Sequence, residues 1–414
     1  MTYLQEWRNL FSFWRKDLVA GITVGIVALP LALGFAITTG APASAGLATA
    51  IIAGFIAALF GGSNYQVSGP TGAMTVVLVP IVAKYGVQSL VWLGIAAGLL
   101  IISFALIGLG RFIEKVPWSV MEGFTLGIAV IIALQQIPLV FGVTKAEGTH
   151  TISVAFETLS RALTEKIHIA SISIAFATLT IKRLWPRIKK AAGIRIHLPA
   201  SIVAITLVTT VTHFLSVDID RIGELPRQLS FTDNFSIGDI SPFSFAYAAI
   251  AIALLGAIES LLSARVADGM AHKEIDHEQR AHDPKKELMG QGLATIASAC
   301  VGGLPATGAI ARTSVNVHSG ARTRLAAIVH ALFLLAVVLF LAPIVSLIPT
   351  AALAGVLIGT SLRIANPQSV KEALQSTYKF RIVYVVTALA VVFIDLMWGV
   401  AIGILLEKIL NKAR

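Results

Sequence analysis

The feature that most constrains this chain is a succession of long apolar stretches that carry no charge. The run LVAGITVGIVALPLALGFAI occupies positions 18–37 without one acidic or basic residue. A helix of about 20 apolar residues spans the hydrocarbon core of a bilayer. Hydrophobic residues make up 56% of the 414 positions and charged residues 13%, and the mean hydropathy is +0.83. The sequence therefore predicts an all-α, polytopic membrane protein embedded in a lipid bilayer.

Fourteen hydrophobic segments, two of them short, follow one another along the chain. They lie at 18–38, 43–61, 70–83, 87–109, 117–141, 167–185, 197–215, 242–264, 287–301, 308–318, 325–345, 350–362, 380–394 and 396–411. An even number of spans puts both termini on the same side of the membrane. The fourteen segments also divide into two sets of seven, so the second set enters the membrane with inverted orientation.

The positive charge of the chain reports its topology. When the N-terminus is placed in the cytoplasm, most of the 32 Lys and Arg residues fall in cytoplasmic loops, including 182–195 and 265–286. The longest loop on the opposite side, 216–241, is acidic. Cytoplasmic loops carry an excess of Lys and Arg. Both termini are therefore expected in the cytoplasm, and the net charge of +10 requires no nucleic-acid partner.

Two helix-breaking stretches lie at matching places in the two halves. The third segment follows SGP within SGPTGA (68–73), and the tenth follows GGLP within GGLPATGAI (302–310). Breaks at membrane depth free backbone polar groups, which lipid does not satisfy. Paired, short, Gly/Pro-interrupted segments in two inverted halves point to the binding site of a secondary transporter. The sequence thus predicts half-helices at segments three and ten.

The ends of these half-helices are suited to binding an anion. A helix that starts at mid-membrane presents unpaired N–H groups and the positive end of its dipole. We expect Thr71-Gly72-Ala73 and Gly308-Ala309-Ile310 to face each other, with small residues that admit an oxyanion. Arg312 adds a full positive charge one turn inside the tenth segment. The alternative is that both breaks are packing kinks at helix contacts.

A second charge at membrane depth is Glu259 in the eighth segment. Ionisable groups in a span are costly and indicate ion coupling or pairing. A carboxylate beside an anion site is tolerated if it takes up a proton or a sodium ion, and Ser260 and Ser263 could help to coordinate a cation. The alternative is a structural salt bridge between Glu259 and Arg312.

No cofactor or resident metal is expected. Cys300 is the one cysteine, and His272, His277 and His282 in the loop 265–287 lack the spacing of a metal-binding motif. The sequence shows no set of a nucleophile, a general base and a residue that orients the base, which argues against an enzyme. It also contains no Walker A motif, so ATP-driven transport is not indicated.

Several stretches resemble the SulP family of anion transporters, also called solute-carrier family twenty-six, over essentially the whole chain. They are DLVAGITVGIVALPLALGFAI in the first segment, VSGPTGAMTVV in the third, GAIESLL in the eighth, and KELMGQGLATIASACVGGLPATGAIARTSVNVHSGARTRL through the ninth and tenth. The first and third resemble the bacterial branch, which includes cyanobacterial bicarbonate transporters. This resemblance implies a bacterial inner membrane protein.

The resemblance implies two intertwined inverted repeats of seven helices. A core domain, 1–112 with 242–345, carries the site and moves against a gate domain, 113–241 with 346–414. Proteins of this fold commonly pair as homodimers. The family's usual cytoplasmic STAS domain is absent from this sequence, so the chain is either trimmed or a naturally short member.

Carried over by position, Thr71, Gly308, Ala309 and Ile310 match the family's half-helix site. Glu259 matches the acidic coupling position, and Arg312 matches a common arginine of the tenth span. Many members have a glutamine and a tyrosine at the positions of Leu31 and Phe35, so this binding site is expected to be less polar. The resemblance also implies that members of the sodium-coupled bicarbonate branch have an aspartate at the position of Glu259. The longer glutamate side chain of this sequence is expected to favour a proton as the coupling ion.

The sequence is therefore interpreted as a secondary active transporter of a small anion, coupled to H⁺ or Na⁺. Bicarbonate, sulfate, nitrate and dicarboxylates such as fumarate all suit two helix N-termini and one arginine. An uncoupled anion channel or exchanger, and a nucleobase symporter of the same fold, are the alternatives. The nucleobase class is expected to use an acid in the tenth span, where this chain has Arg312.

Overall fold

The fold is mostly helical, and a helix lies at each of the fourteen predicted segments. The computed structural model describes residues 10–113, 116–148, 150–164, 168–193, 199–225, 240–271 and 281–412. The helices are α1 Trp14–Thr39, α2 Ala43–Phe60, α3 Gly72–Tyr85, α4 Ser89–Leu106, α5 Trp118–Leu134, α6 Ile169–Ala191, α7 Ala200–Phe214, α8 Pro242–Met270, α9 Pro284–Cys300, α10 Ile310–His318, α11 Leu325–Val345, α12 Thr350–Ile364, α13 Tyr378–Phe393 and α14 Leu396–Lys412.

Within the described residues, six helices are long and apolar enough to cross a membrane: α1, α2, α4, α5 with its extension to Phe141, α8 and α11. The helices α3 and α7 are apolar but shorter. Parts of the loops 182–195, 216–241 and 265–286 lie outside the described residues, as do His272 and His277. The orientation inferred from those loops stays a prediction.

Short helices outside the fourteen segments join them. Ile137–Phe141 lies within the predicted fifth segment, 117–141, and extends α5, whereas the helices outside the segments are Gly110–Ile113, Thr151–Thr164 and Pro367–Gln375. The last two are amphipathic and carry charged side chains, so a search for apolar runs does not detect them. They belong to connections between the longer helices.

The described strands of this mostly helical fold lie at the two breaks. Ser68–Gly69 forms strand β1 and Thr307–Gly308 forms strand β2, and the two pair antiparallel with Ser68 opposite Gly308. Helix α3 starts two residues later than predicted, and so does α10. Gly308 therefore belongs to a strand and not to the first turn of a helix. The extended backbone of each break pairs with the backbone polar groups of the other break, which would otherwise lack hydrogen-bond partners.

Small residues allow the helices that support this strand pair to pack closely. A Cβ atom added at Gly98 of α4 would lie 2.7 Å from the carbonyl oxygen of Gly292 in α9, and the converse distance is also 2.7 Å. Because neither position has room for a side chain, α4 and α9 approach at backbone distance. This contact places α9 behind the strands.

Candidate functional site

The polar groups freed by the second break are bound by side chains of α2 and α9. The Gln291 amide donates to the carbonyl of Ala306 at 2.8 Å, and the Ser298 hydroxyl donates to that of Leu304 at 2.7 Å. The N–H of Leu304 donates to the Thr49 hydroxyl at 2.6 Å. An unpaired buried polar group costs about 1–3 kcal/mol. The polar residues of α9 therefore stabilise an irregular segment that lipid would not.

The N-terminus of α3 keeps donors available. The Thr71 hydroxyl caps the helix by accepting from the N–H of Met74 at 3.3 Å. Among the described residues, no acceptor takes the N–H of Gly72 or Ala73. These N–H groups carry the positive end of the helix dipole, as the sequence predicts for an anion site.

At the start of α10, two of the N–H groups that the sequence predicts to be free are hydrogen-bonded. Gly308 donates its N–H to the Ser260 hydroxyl at 3.0 Å, and Ala309 donates to the carbonyl of Val67 at 3.0 Å. Ala309 is the N-cap and has no capping side chain, so the N–H of Ile310 has no acceptor among the described residues. The available donors on this side begin at Ile310, two residues after the first one predicted.

Glu259 lies where the two breaks meet. The hydroxyls of Thr71 and Thr307 donate to the same carboxylate oxygen, at 2.7 and 2.6 Å, and lie 3.0 Å from each other. Glu259 keeps partial exposure, whereas both threonines are buried. One carboxylate thus joins α8 to the cap of α3 and to β2. The sequence indicated Glu259 and Thr71 but missed Thr307.

The two serines of α8 contact the tenth segment rather than the carboxylate. Ser260 accepts from the N–H of Gly308, as described above. The Ser263 hydroxyl donates to the hydroxyl of Thr313 at 3.1 Å, and Thr313 in turn accepts from the N–H of Val67 at 3.1 Å. Their hydrogen bonds position the second break against α8.

Arg312 lies behind the start of α3. It is 1% exposed, and its guanidinium donates to the carbonyl of Pro70. A Cβ atom at Gly69 would lie 2.4 Å from its Nη1, which has no partner among the described residues. The structure forms no ion pair between Arg312 and Glu259, both of which are described. The alternative of a structural salt bridge is therefore absent from this conformation.

The space in front of the two predicted glycines is occupied. A Cβ atom at Gly308 would lie 2.2 Å from Nε2 of Gln66, whose amide donates to Glu287 at 2.5 Å. A Cβ atom at Gly72 would lie 2.2 Å from Cδ1 of Ile132. Neither glycine has room for a side chain, because side chains distant in sequence fill that space, and the close approach of an oxyanion to the backbone at these positions stays a prediction.

A substitution at Gly308 should therefore act first through Gln66. Gly308→Ala is expected to destabilise the protein by about 1–3 kcal/mol through overpacking. In a Gln66→Ala background the added methyl has space, so the second loss should be much smaller. Thermal unfolding of the two single variants and the double variant measures this coupling. Additive losses would show that Gln66 does not occupy the space at Gly308.

Phe35 is buried beside the same helix end. It is 5% exposed, and its Cε1 would lie 3.2 Å from a Cβ atom at Gly72. The structure thus brings together Phe35, Thr71, Gly72, Ala73, Glu259 and the Gly308–Ile310 stretch, with Arg312 behind them. Gln66 and Ile132 join this group without any signal in the sequence, and Thr307 joins it at the position that matches Thr71.

Comparison with known proteins identifies the family. The model of the sulfate permease family matches residues 14–388. The chain belongs to the sulfate permease family. Family membership makes it a multi-pass membrane transport protein and not an enzyme, as the apolar segments and motifs predicted.

Two of the most similar relatives are bacterial proteins. The putative sulfate transporter YvdB of Bacillus subtilis is 36% identical over 411 residues, which cover 96% of this chain and 73% of that relative. The bicarbonate transporter BicA of Synechocystis is 33% identical over 421 residues, covering 99% of this chain and 71% of the relative.

Solved structures of family members share the fold. The transmembrane domain of a cyanobacterial bicarbonate transporter BicA superposes with a TM-score of 0.80 at 30% identity, covering 97% of each chain. Murine solute carrier 26 family member A9, an anion transporter in the inward-facing state, gives a TM-score of 0.81 at 16% identity. That match covers 96% of this chain and 68% of the murine protein and shows the fold alone.

Proposed function

We propose that this protein is a secondary active transporter that carries a small anion together with a cation by alternating access. One observation carries the proposal: the partly exposed carboxylate of Glu259 is hydrogen-bonded to both breaks, beside N–H donors that have no acceptor among the described residues. The donors and Arg312 favour an anion, whereas the carboxylate opposes one. Bringing two anions together away from water is costly unless a cation accompanies them.

We assign a proton as the coupling ion. The oxygen atoms that contact the Glu259 carboxylate are the hydroxyls of Thr71 and Thr307. The hydroxyls of Ser260 and Ser263 form hydrogen bonds with α10 and its preceding strand instead. Few oxygens remain to surround a sodium ion, whereas a proton needs only the carboxylate. The substrates that fit are bicarbonate and sulfate, which relatives are named for, and dicarboxylates such as fumarate.

Helix packing supports two inverted repeats of seven helices. Helix α4 packs against α9, and α11 packs against α2. Likewise α5 packs against α13, and α12 against α6. If seven is added to each helix number, and fourteen is subtracted from any number above fourteen, the contact α4–α9 becomes α11–α2. The contact α5–α13 becomes α12–α6 in the same way. This relation is expected of two equivalent halves.

In this proposal the core domain (1–112 and 242–345) holds the site, and the gate domain (113–241 and 346–414) moves against it. The lysine- and arginine-rich loops support a proposed cytoplasmic position of both termini, and the spans are proposed to lie in a bacterial inner membrane. The protein is proposed to pair as a homodimer, as its resemblance implies.

Uptake into proteoliposomes tests the transport proposal. Labelled bicarbonate, sulfate, nitrate, fumarate and a nucleobase are offered with a proton gradient, with a sodium gradient and with neither. Accumulation of one anion above equilibrium in a proton gradient is the expected result. Accumulation that requires sodium would overturn the proton assignment. Current or exchange without accumulation would indicate an uncoupled channel or exchanger, and uptake of the nucleobase alone would exclude an anion transporter.

A further inference from the structure

A cavity of about 720 Å³ opens between helices assigned to the core and helices assigned to the gate. Residues of α3 and α8 line it together with residues of α5, the end of α13 and the start of α14. It follows α3 from Val76 to Tyr85, about 14 Å of helix at 1.5 Å per residue. Lys84 and His150 are exposed at its wall. The cavity therefore leads along α3 toward its N-terminus.

The cavity lining stops one turn short of the candidate site. Val76 lines it and lies four residues after Gly72, and Ile131 lines it and immediately precedes Ile132. Ile132 is 2% exposed and covers Gly72, with its Cδ1 2.2 Å and its Cγ1 3.0 Å from a Cβ atom placed there. Phe35 covers the same glycine from α1. Apolar side chains thus separate the cavity from the free N–H groups of Gly72 and Ala73.

We propose that Ile132 seals the site from this cavity and limits the size of the anion that enters. This inference rests on the proposed function, because it makes the cavity the access route to the N-terminus of α3. An anion that meets an apolar constriction must lose hydration before it reaches the donors beyond it. Ile132 belongs to α5, so α5 must move relative to α3 to admit the anion. The side chain at 132 then determines how much space that movement opens.

Shortening Ile132 tests the size limit. Ile132→Val and Ile132→Ala should raise the ratio of fumarate to bicarbonate uptake, by about tenfold or more for Ala, since one methylene in an apolar site discriminates by 10-fold or more. Ile131→Ala is the matched control, because Ile131 lines the cavity on the same helix, whereas the side-chain atoms nearest to a Cβ at Gly72 belong to Ile132 and Phe35; its ratio should equal that of the parent. An unchanged ratio in transporting Ile132 variants would overturn the size limit.

Thiol labelling tests the seal without relying on transport. Cys300→Ser removes the one native cysteine, and Thr71→Cys introduces a thiol at the α3 cap. A small, membrane-impermeant methanethiosulfonate reagent is applied to each side separately, with Lys84→Cys marking the side on which the cavity opens. Adding Ile132→Ala should speed labelling at position 71 at least tenfold from that side, whereas Ile131→Ala should not.

The two tests separate failure of the seal from failure of the transport proposal. Equal labelling rates with and without Ile132→Ala would overturn the seal. Absence of uptake in every protein, the parent included, would overturn the proposed function, while the labelling rates would still decide whether Ile132 closes the route. Unfolding temperatures of the Val and Ala variants confirm that the compared proteins are folded.

Discussion

Replacement of Glu259 by glutamine is expected to abolish accumulation of the anion while leaving exchange of the anion across the membrane. The amide has the shape of a protonated carboxyl group and retains an oxygen that accepts from Thr71 and Thr307, but it neither binds nor releases a proton. The accumulation ratio in a proton gradient should therefore fall to about one. Paired measurements of gradient-driven uptake and of exchange in preloaded proteoliposomes give both quantities.

Glu287→Gln is the matched control for this experiment. Glu287 is a second carboxylate among the helices, 1% exposed, but it accepts from the N–H groups of Gly62 and Ser63 and from Gln66 rather than from Thr71 and Thr307. Its replacement should lower the unfolding temperature and leave the coupling intact. Full accumulation by Glu259→Gln would contradict the coupling role, and loss of coupling in both variants would show that the effect is not specific to the carboxylate at the two breaks.

The dependence of anion uptake on external pH and on sodium follows from the assignment of a proton to Glu259. If Glu259 takes up a proton with the anion, uptake should rise as the external pH falls and persist without sodium. In Glu259→Gln this rise should disappear. Sulfate is the suitable probe, because its charge does not change between about pH 5 and 8, so the pH acts on the protein alone.

The helices and the location of the site could be predicted from the sequence because each rests on local composition. The length of a charge-free apolar run can be counted in the sequence and compared with the thickness of a bilayer. A helix lies at each of the fourteen predicted segments. The stretches SGPTGA and GGLPATGAI break such runs for reasons of backbone chemistry, and the structure brings them together. The division into core and gate domains remains a prediction.

The details of the site depend on which residues meet across the fold. Nothing near Gly308 in the sequence indicates that Gln66 covers it, and Gly72 carries no signal of Ile132, 60 positions away. Thr307 has no distinguishing neighbour, yet it hydrogen-bonds to Glu259 across 48 positions. One signal was available: Thr71 and Thr307 occupy matching positions in the two breaks, so a role for one predicts a role for the other.

Arg312→Ala is expected to weaken binding of the anion by roughly thirtyfold without abolishing the fold. At a separation of roughly 8 Å and an effective dielectric constant of about 20, one unit charge contributes about 2 kcal/mol. Arg312→Lys should recover part of this loss because it restores the charge, but it loses the fork geometry of the guanidinium that donates to Pro70. Equilibrium binding of labelled anion to purified protein gives the dissociation constants.

Arg324→Ala separates the charge at the site from arginine burial in general. Arg324 is also 1% exposed, and its guanidinium donates to the backbone carbonyls of Ala58, Leu59 and Gly61 at 3.2 to 3.4 Å. Both variants remove a buried cation that binds backbone carbonyls, so both should unfold at lower temperature. Only Arg312→Ala should raise the dissociation constant of the anion. Equal affinities in the two variants and the parent would show that Arg312 supports the strand pair and contributes no attraction to the substrate.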